Sequence, residues 1–156
     1  MKRTNAPPLP LADYLRMHNV MRGVLDSVDA HTAHACLFFS VAGATLLREF
    51  YKKEAQPVIG AMVLLVDNDQ RNALTFAALE DGRLVSTKAA FHAWVECGGY
   101  AIDFMAPLFP ANCAAAGHPF MAPSRMFQKR LEAMAPSHEH LDKAGDFHVV
   151  RNPELA

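Results

Sequence analysis

The chain has 156 residues, 51% of them apolar and 20% charged, with a formal net charge of -1. That length suits one domain able to bury roughly two-thirds of its unfolded surface, and the near-neutral balance gives no electrostatic reason to expect nucleic acid or an anionic membrane as partner. No apolar run approaches the ~20 residues that cross a bilayer, and residues 1–10 lack a signal-peptide core, so a cytoplasmic location is expected.

Residues 1–10 read as a flexible lead-in to a single domain spanning 1–156. From Leu11 to Val28 the apolar positions Leu11, Leu15, Val20, Val24, Leu25 and Val28 recur at near-helical spacing and predict a first helix. Asp29-Ala30-His31-Thr32 predicts a break, with Asp29 or Thr32 available as a cap. A second helix is expected from Ala33 to Lys53; its stretch Ala35–Leu47 is apolar almost all round, as in a central helix covered on most sides. After Gln56-Pro57 the character changes. Val58–Val66 predicts a strand, Asp67-Asn68-Asp69-Gln70 a turn, and Asn72–Leu79 its antiparallel partner, ending at Asp81-Gly82.

Phe91–Glu96 and Tyr100–Met105 predict a hairpin about Gly98-Gly99. Ala106–Pro123, rich in Pro, Ala, Gly and Asn, reads as a loop carrying Cys113 and His118. Ser124 could cap a helix running to Met134, with Met126, Phe127, Leu131 and Met134 as its stripe; Phe147–Arg151 predicts a short last strand at the sheet edge. Helices first and an antiparallel sheet later make an α+β pattern.

Side chains on a strand alternate faces, so parity decides which of them can meet. If Cys97 pairs with Tyr100, then Trp94 opposes Asp103 and His92 opposes Met105; a four-residue loop would put His92 opposite Asp103. In either register His92 and Asp103 share a face within side-chain reach. A carboxylate so placed can hold an imidazole in one tautomer and stabilise its protonated form. Cys36 falls near the start of the second helix, where unpaired N–H groups and the dipole favour an anion and a nearby imidazolium would add to the effect. Its backbone N–H is one candidate for an oxyanion hole; His31, Thr32 and His34 are candidates for the second donor.

The run from Cys36 to Arg48, followed by Pro57-Val58-Ile59-Gly60, resembles the cysteine helix and first strand of transglutaminase-like domains. His92-Ala-Trp-Val-Glu96 resembles their histidine strand, and Tyr100-Ala-Ile-Asp103 their aspartate strand. The resemblance covers about residues 30–106 and extends to the wider papain-like superfamily, including the arylamine N-acetyltransferases, with a bacterial branch as the expected home. It implies a papain/transglutaminase-like core in which a central helix with the cysteine packs on an antiparallel sheet with the histidine and aspartate. It also implies a Cys36–His92–Asp103 triad, a thioester intermediate and no cofactor. One departure is Ala30, where papain-like proteases carry an oxyanion-hole glutamine six residues before the cysteine. The small chain leaves little room to hold a large protein, so the expected reaction is hydrolysis of a small amide or peptide, with acyl transfer by the same triad as the alternative.

Two other readings stand beside this one. His31, His34 and Cys36 form a compact cluster that His138 and His140 could complete around zinc, although the spacing matches no standard finger. A binding module that has lost activity would keep the same fold. Free cysteines usually pack as small hydrophobes, which is the expectation for Cys97; Cys113 is expected at the surface. Trp94 is expected to pack beside the site, and Glu96, Arg48, Lys52 and Lys53 to form solvated faces.

Overall fold

The computed structural model describes residues 6–30, 34–67, 72–119, 127–134 and 147–151. The architecture is α+β. Helix α1 spans Leu11–Ser27 and α2 spans Cys36–Tyr51. Strands β1 (Ala55–Asp67), β2 (Asn72–Phe76), β5 (His92–Cys97), β6 (Tyr100–Asp103), β7 (Phe127–Arg130) and β8 (Phe147–Arg151) form one antiparallel sheet. Its order is β2-β1-β5-β6-β7, with β8 also on β1. Strands β3 (Ala78–Glu80) and β4 (Arg83–Val85) make a separate hairpin, and α3 spans Phe109–Ala115.

Asp29 ends the first helical segment at φ 52°, and Ala30 N–H donates back to the Leu25 carbonyl at 3.0 Å. Among the described residues no side chain caps α2, which begins at Cys36 after Ala35; the expected cap Thr32 lies outside them. At its other end Lys52 adopts a left-handed φ of 52°, and Lys53 N–H donates to the Leu47 carbonyl at 3.0 Å, closing the last turn. Helix α2 packs on β1 and β5. Gly43 permits a close approach there: a Cβ at this position would lie 2.5 Å from the Phe104 ring.

Strand β1 is long enough to pair with three partners along its length. It pairs with β5 through Ala55–Gly60, with β8 through Gly60–Leu64 and with β2 through Met62–Asp67. The β5–β6 hairpin turns through Gly98 and Gly99, both at positive φ (58° and 81°), with Cys97 paired to Tyr100. Two successive residues at positive φ match the twist of the strands, and glycine adopts that backbone without steric cost.

Several expectations need correction. The stripe proposed for α1 lies on its flanks: Leu11, Leu15, Val20 and Val24, with Val28 just past the helix, are exposed, and of that set only Leu25 is buried. The inward face is Tyr14, Met17, His18, Met21 and Leu25, so aromatic, thioether and imidazole groups outcompete the branched aliphatics for the core. Leu9, placed in the loose lead-in, is fully buried, and both its backbone polar groups bond to the Gln128 amide. The single strand expected over Asn72–Leu79 divides at Ala77 into β2 and β3. The loop expected to carry Cys113 contains α3, with Pro110 near its start, where a missing N–H costs nothing. The helix expected up to Met134 is β7 over Phe127–Arg130, because the open side of β6 supplies backbone partners that a local pattern does not reveal. Ser124 and Met126 lie outside the described residues. Glu96 is buried, since the face it shares with His92 and Trp94 is covered. Among the described residues no helix is long and apolar enough to cross a membrane.

Candidate active site

Helix α2 delivers Cys36 as its first residue, where the backbone N–H groups of the opening turn have no intrahelical partners. Strand β5 begins with His92, and β6 ends with Asp103. The observed register pairs Val95 with Ile102 and Cys97 with Tyr100, so His92 and Asp103 are diagonal neighbours on one face. His92 Nε2 and Asp103 Oδ2 are 2.6 Å apart, with both residues essentially without exposure. A carboxylate oxygen accepts, so Nε2 carries the proton in this contact and a neutral ring keeps its lone pair at Nδ1.

Nδ1 is itself buried without a hydrogen-bond partner. Besides Asp103, the group acting on the ring is Cys36, which pulls its pKa upward. Burial pushes the imidazole toward lower pKa, but the Asp103 charge and hydrogen bond, with the smaller effect of Cys36, outweigh it and lift the ring to about 9. Cys36 keeps 7% exposure while His92 has none.

Asp103 is fixed from several sides. Its Oδ1 accepts from Met105 N–H at 3.0 Å, and its backbone carbonyl accepts a hydrogen bond from the Tyr14 hydroxyl. Burial, with the Asp103 charge behind it, pushes the Tyr14 pKa upward and keeps the hydroxyl a donor. The next carbonyl, of Phe104, lies 2.6 Å from His18 Nδ1. Burial pushes His18 below its ordinary range, against the upward pull of that carbonyl.

Aromatic rings enclose the imidazole. Phe76 stacks on it at 4.5 Å between centroids, Phe109 meets it edge-on at 5.7 Å, and Trp94 lies near-parallel at 6.5 Å. Trp94 is thus buried beside the site as expected, and Cys97 is buried on the opposite strand face. Cys113 is half-buried, and burial pushes both of these thiols upward in pKa.

Of the three residues singled out in the sequence, His92 and Asp103 are in direct contact and Cys36 acts on the same ring, while Tyr14, His18, Phe76 and Phe109 escaped it. A signal for the first two existed in Tyr14, Met17, His18, Met21 and Leu25, which follow helical spacing once aromatic and thioether residues are counted as core formers. The zinc reading finds no support among the described residues, where no three His, Cys, Asp or Glu side chains gather to hold a metal ion. His34 is exposed, and His31, His138 and His140 lie outside the described residues, as does Thr32.

Over residues 10–156 the sequence matches the family model described as protein of unknown function, DUF2026. The chain belongs to that family. A crystal structure described only as that of a genomics target is similar to this DUF2026 chain at 34% identity and a TM-score of 0.76, covering 97% of this chain and 70% of that one. No curated protein matches.

Proposed function

We propose that this DUF2026 protein is a thiol-dependent hydrolase of a small amide or peptide, built on a papain/transglutaminase-like core. Cys36 is the nucleophile, His92 the general base and acid, and Asp103 the residue that orients and charges the imidazole. The observation that carries the reading is the 2.6 Å contact between His92 Nε2 and Asp103 Oδ2, with the Cys36 thiol acting on the same ring from the start of α2.

With Nε2–H held by the carboxylate, the Nδ1 lone pair is free to take the thiol proton. The thiolate adds to the substrate carbonyl, and the imidazolium then protonates the leaving amine as the C–N bond breaks, leaving a thioester on Cys36. Water, deprotonated by the neutral ring, adds to the thioester; the proton returns to sulfur and the acid departs. The Cys36 backbone N–H lies in the unpaired first turn of α2, suited to the oxyanion of each tetrahedral intermediate. At the position of the missing glutamine, Ala30 offers no side-chain donor, so a second donor must come from elsewhere.

The test is to treat the full chain with small activated esters, p-nitrophenyl acetate first, and to weigh the intact protein during turnover. A hydroxylamine-labile acyl adduct mapping to Cys36 is expected. An amine that intercepts this adduct faster than water does would make the reaction a transfer rather than a hydrolysis. An adduct confined to Cys97 or Cys113, or no adduct with Cys36 intact and unoxidised, would overturn the proposal and favour a binding module.

A further inference from the structure

The N-terminal segment and α1 touch the stretch carrying Asp103 at consecutive points. Leu9 N–H donates to Gln128 Oε1 at 3.1 Å and its carbonyl accepts from Nε2 at 2.7 Å, while Gln128 is paired with Ile102. One step along the chain, the Tyr14 hydroxyl donates to the Asp103 carbonyl, with the Tyr14 ring stacked on Phe104 at 5.2 Å. One step further, His18 Nδ1 lies 2.6 Å from the Phe104 carbonyl. A carbonyl only accepts, so Nδ1 bears the proton here. The His18 ring stacks on Phe39 at 5.6 Å, about one helical turn after Cys36.

The third contact matters most for the site. The Phe104 carbonyl and the Met105 N–H belong to one planar peptide unit. His18 holds the oxygen of that unit, while its N–H donates to Asp103 Oδ1 at 3.0 Å. The other carboxylate oxygen, Oδ2, receives His92 Nε2–H. A donor on the oxygen also polarises the peptide and strengthens its N–H as a donor. Tyr14 fixes the preceding peptide unit in the same way.

Both rings pack, on Phe104 and Phe39, but that packing does not call for a hydroxyl or a ring N–H. A buried hydroxyl and imidazole lose water, and their hydrogen bonds return a net of only about 0.5–1.5 kcal/mol each. Their distinct contribution is direction.

We propose that Tyr14 and His18 are positioning residues for Asp103, setting from α1 the two peptide planes that aim its carboxylate at His92. This rests on the reading of Cys36, His92 and Asp103 as an active site. Neither residue touches the reacting atoms; both act through the backbone at 103–105.

The experiment follows iodoacetamide labelling of Cys36 against pH in the full chain, with the adduct mapped by mass. It compares wild type with Asp103→Asn, Tyr14→Phe, His18→Ala and His18→Asn, whose amide nitrogen can stand close to the place of Nδ1. Asp103→Asn should slow labelling and shift the rising limb of its profile to higher pH, because without that charge the imidazole loses its proton sooner and no longer supports the thiolate. Tyr14→Phe keeps the ring on Phe104, and His18→Ala removes the donor. Both should shift the limb the same way, with rates falling by up to about 100-fold, the scale of a misaligned catalytic group. His18→Asn should restore most of the rate.

Wild-type rates and limbs in Tyr14→Phe and His18→Ala, with Asp103→Asn still impaired, would overturn the inference and leave the active-site reading intact. Equal losses in His18→Ala and His18→Asn with an unmoved limb would mark a packing role and also overturn it. Should His18→Ala fail to fold, an unmoved limb in Tyr14→Phe decides against it. If Asp103→Asn labels like wild type, the active-site reading fails, and the positioning role with it.

Discussion

The two long helices make opposite use of their side chains. Helix α2 is apolar over most of its length, buries Phe39, Ala44 and Leu47, and begins with Cys36, the nucleophile of the proposed mechanism. Helix α1 buries a hydroxyl and an imidazole, Tyr14 and His18, and leaves Leu11, Leu15, Val20 and Val24 largely in solvent. One helix is positioned by packing and, in the proposed mechanism, contributes the reactive atom; the other is positioned by packing and contributes hydrogen bonds. Apolar contact brings elements together but specifies angles loosely, whereas a buried donor aimed at a carbonyl specifies one geometry. A reactive constellation drawn from three separate elements needs both.

The largest effects should come from the reactive atoms. Cys36→Ser is expected to abolish acyl-adduct formation with activated esters, since a serine hydroxyl beside this imidazole lacks the acidity of a thiol. Asp103→Asn conserves shape but removes the charge behind His92, and its adduct-formation rate should fall by on the order of 1,000-fold or more. Both are read by intact-mass kinetics, with circular dichroism checking the fold. If Asp103→Asn forms adducts at the wild-type rate, α2 supplies all of the chemistry and α1 has nothing to orient.

A pH effect of intermediate size follows from the same pair. Burial alone would lower the His92 pKa, but the Asp103 charge and hydrogen bond outweigh it and raise the folded value to about 9 from 6.5. A group raised on folding adds stability that is fully present below its unfolded value and is lost as pH rises through its folded value. Chemical denaturation of wild type should therefore show stability falling between 6.5 and about 9, by at most about 3–4 kcal/mol. In Asp103→Asn that slope should flatten; an identical slope would assign the titration to another group.

The legible part of the site was the part that sequence separation keeps short. His92 and Asp103 are joined by a two-residue glycine turn, so alternation alone fixed their shared face before any tertiary information was needed. Cys36 at a helix start was legible from the break at Asp29 and the apolar run after it. β7 was not, because Phe127–Arg130 becomes a strand only by pairing with β6, and its apolar neighbours Leu131 and Met134 fit a helical stripe equally well. The buried face of α1 was obscured by valines and leucines whose spacing looked sufficient, so Tyr14 and His18 were left out of the stripe.

Gly43 tests how closely α2 is fitted to the stretch carrying Asp103. A Cβ there would stand 2.5 Å from the ring of Phe104, which is itself buried. Alanine would gain up to about 1 kcal/mol of helix propensity. Overpacking of a filled core typically costs about 1–3 kcal/mol, so Gly43→Ala should be net destabilising by urea denaturation. Because Phe104 lies between Asp103 and Met105, the variant should also slow labelling of Cys36. A stabilised variant would mean that the ring moves freely and that α2 is not closely fitted at this point.

The smallest effect is expected on the outward flank of α1, where the contrast between the helices is sharpest. Val20 and Val24 are 55% and 49% exposed, while Met21, on the same helix, is 2% exposed. Hydrophobicity alone would rank the valines above methionine as contributors; burial reverses the order. Val20→Thr and Val24→Thr keep the branched shape and similar helix propensity, and each should change unfolding free energy by less than about 0.5 kcal/mol. Met21→Ala should cost about 2–5 kcal/mol, the usual range for emptying a filled core position. Urea denaturation of the three variants checks the ranking. A cost above 1 kcal/mol for either threonine variant would mean that the flank is covered in solution, and the contrast drawn between the faces of α1 would have to be redrawn.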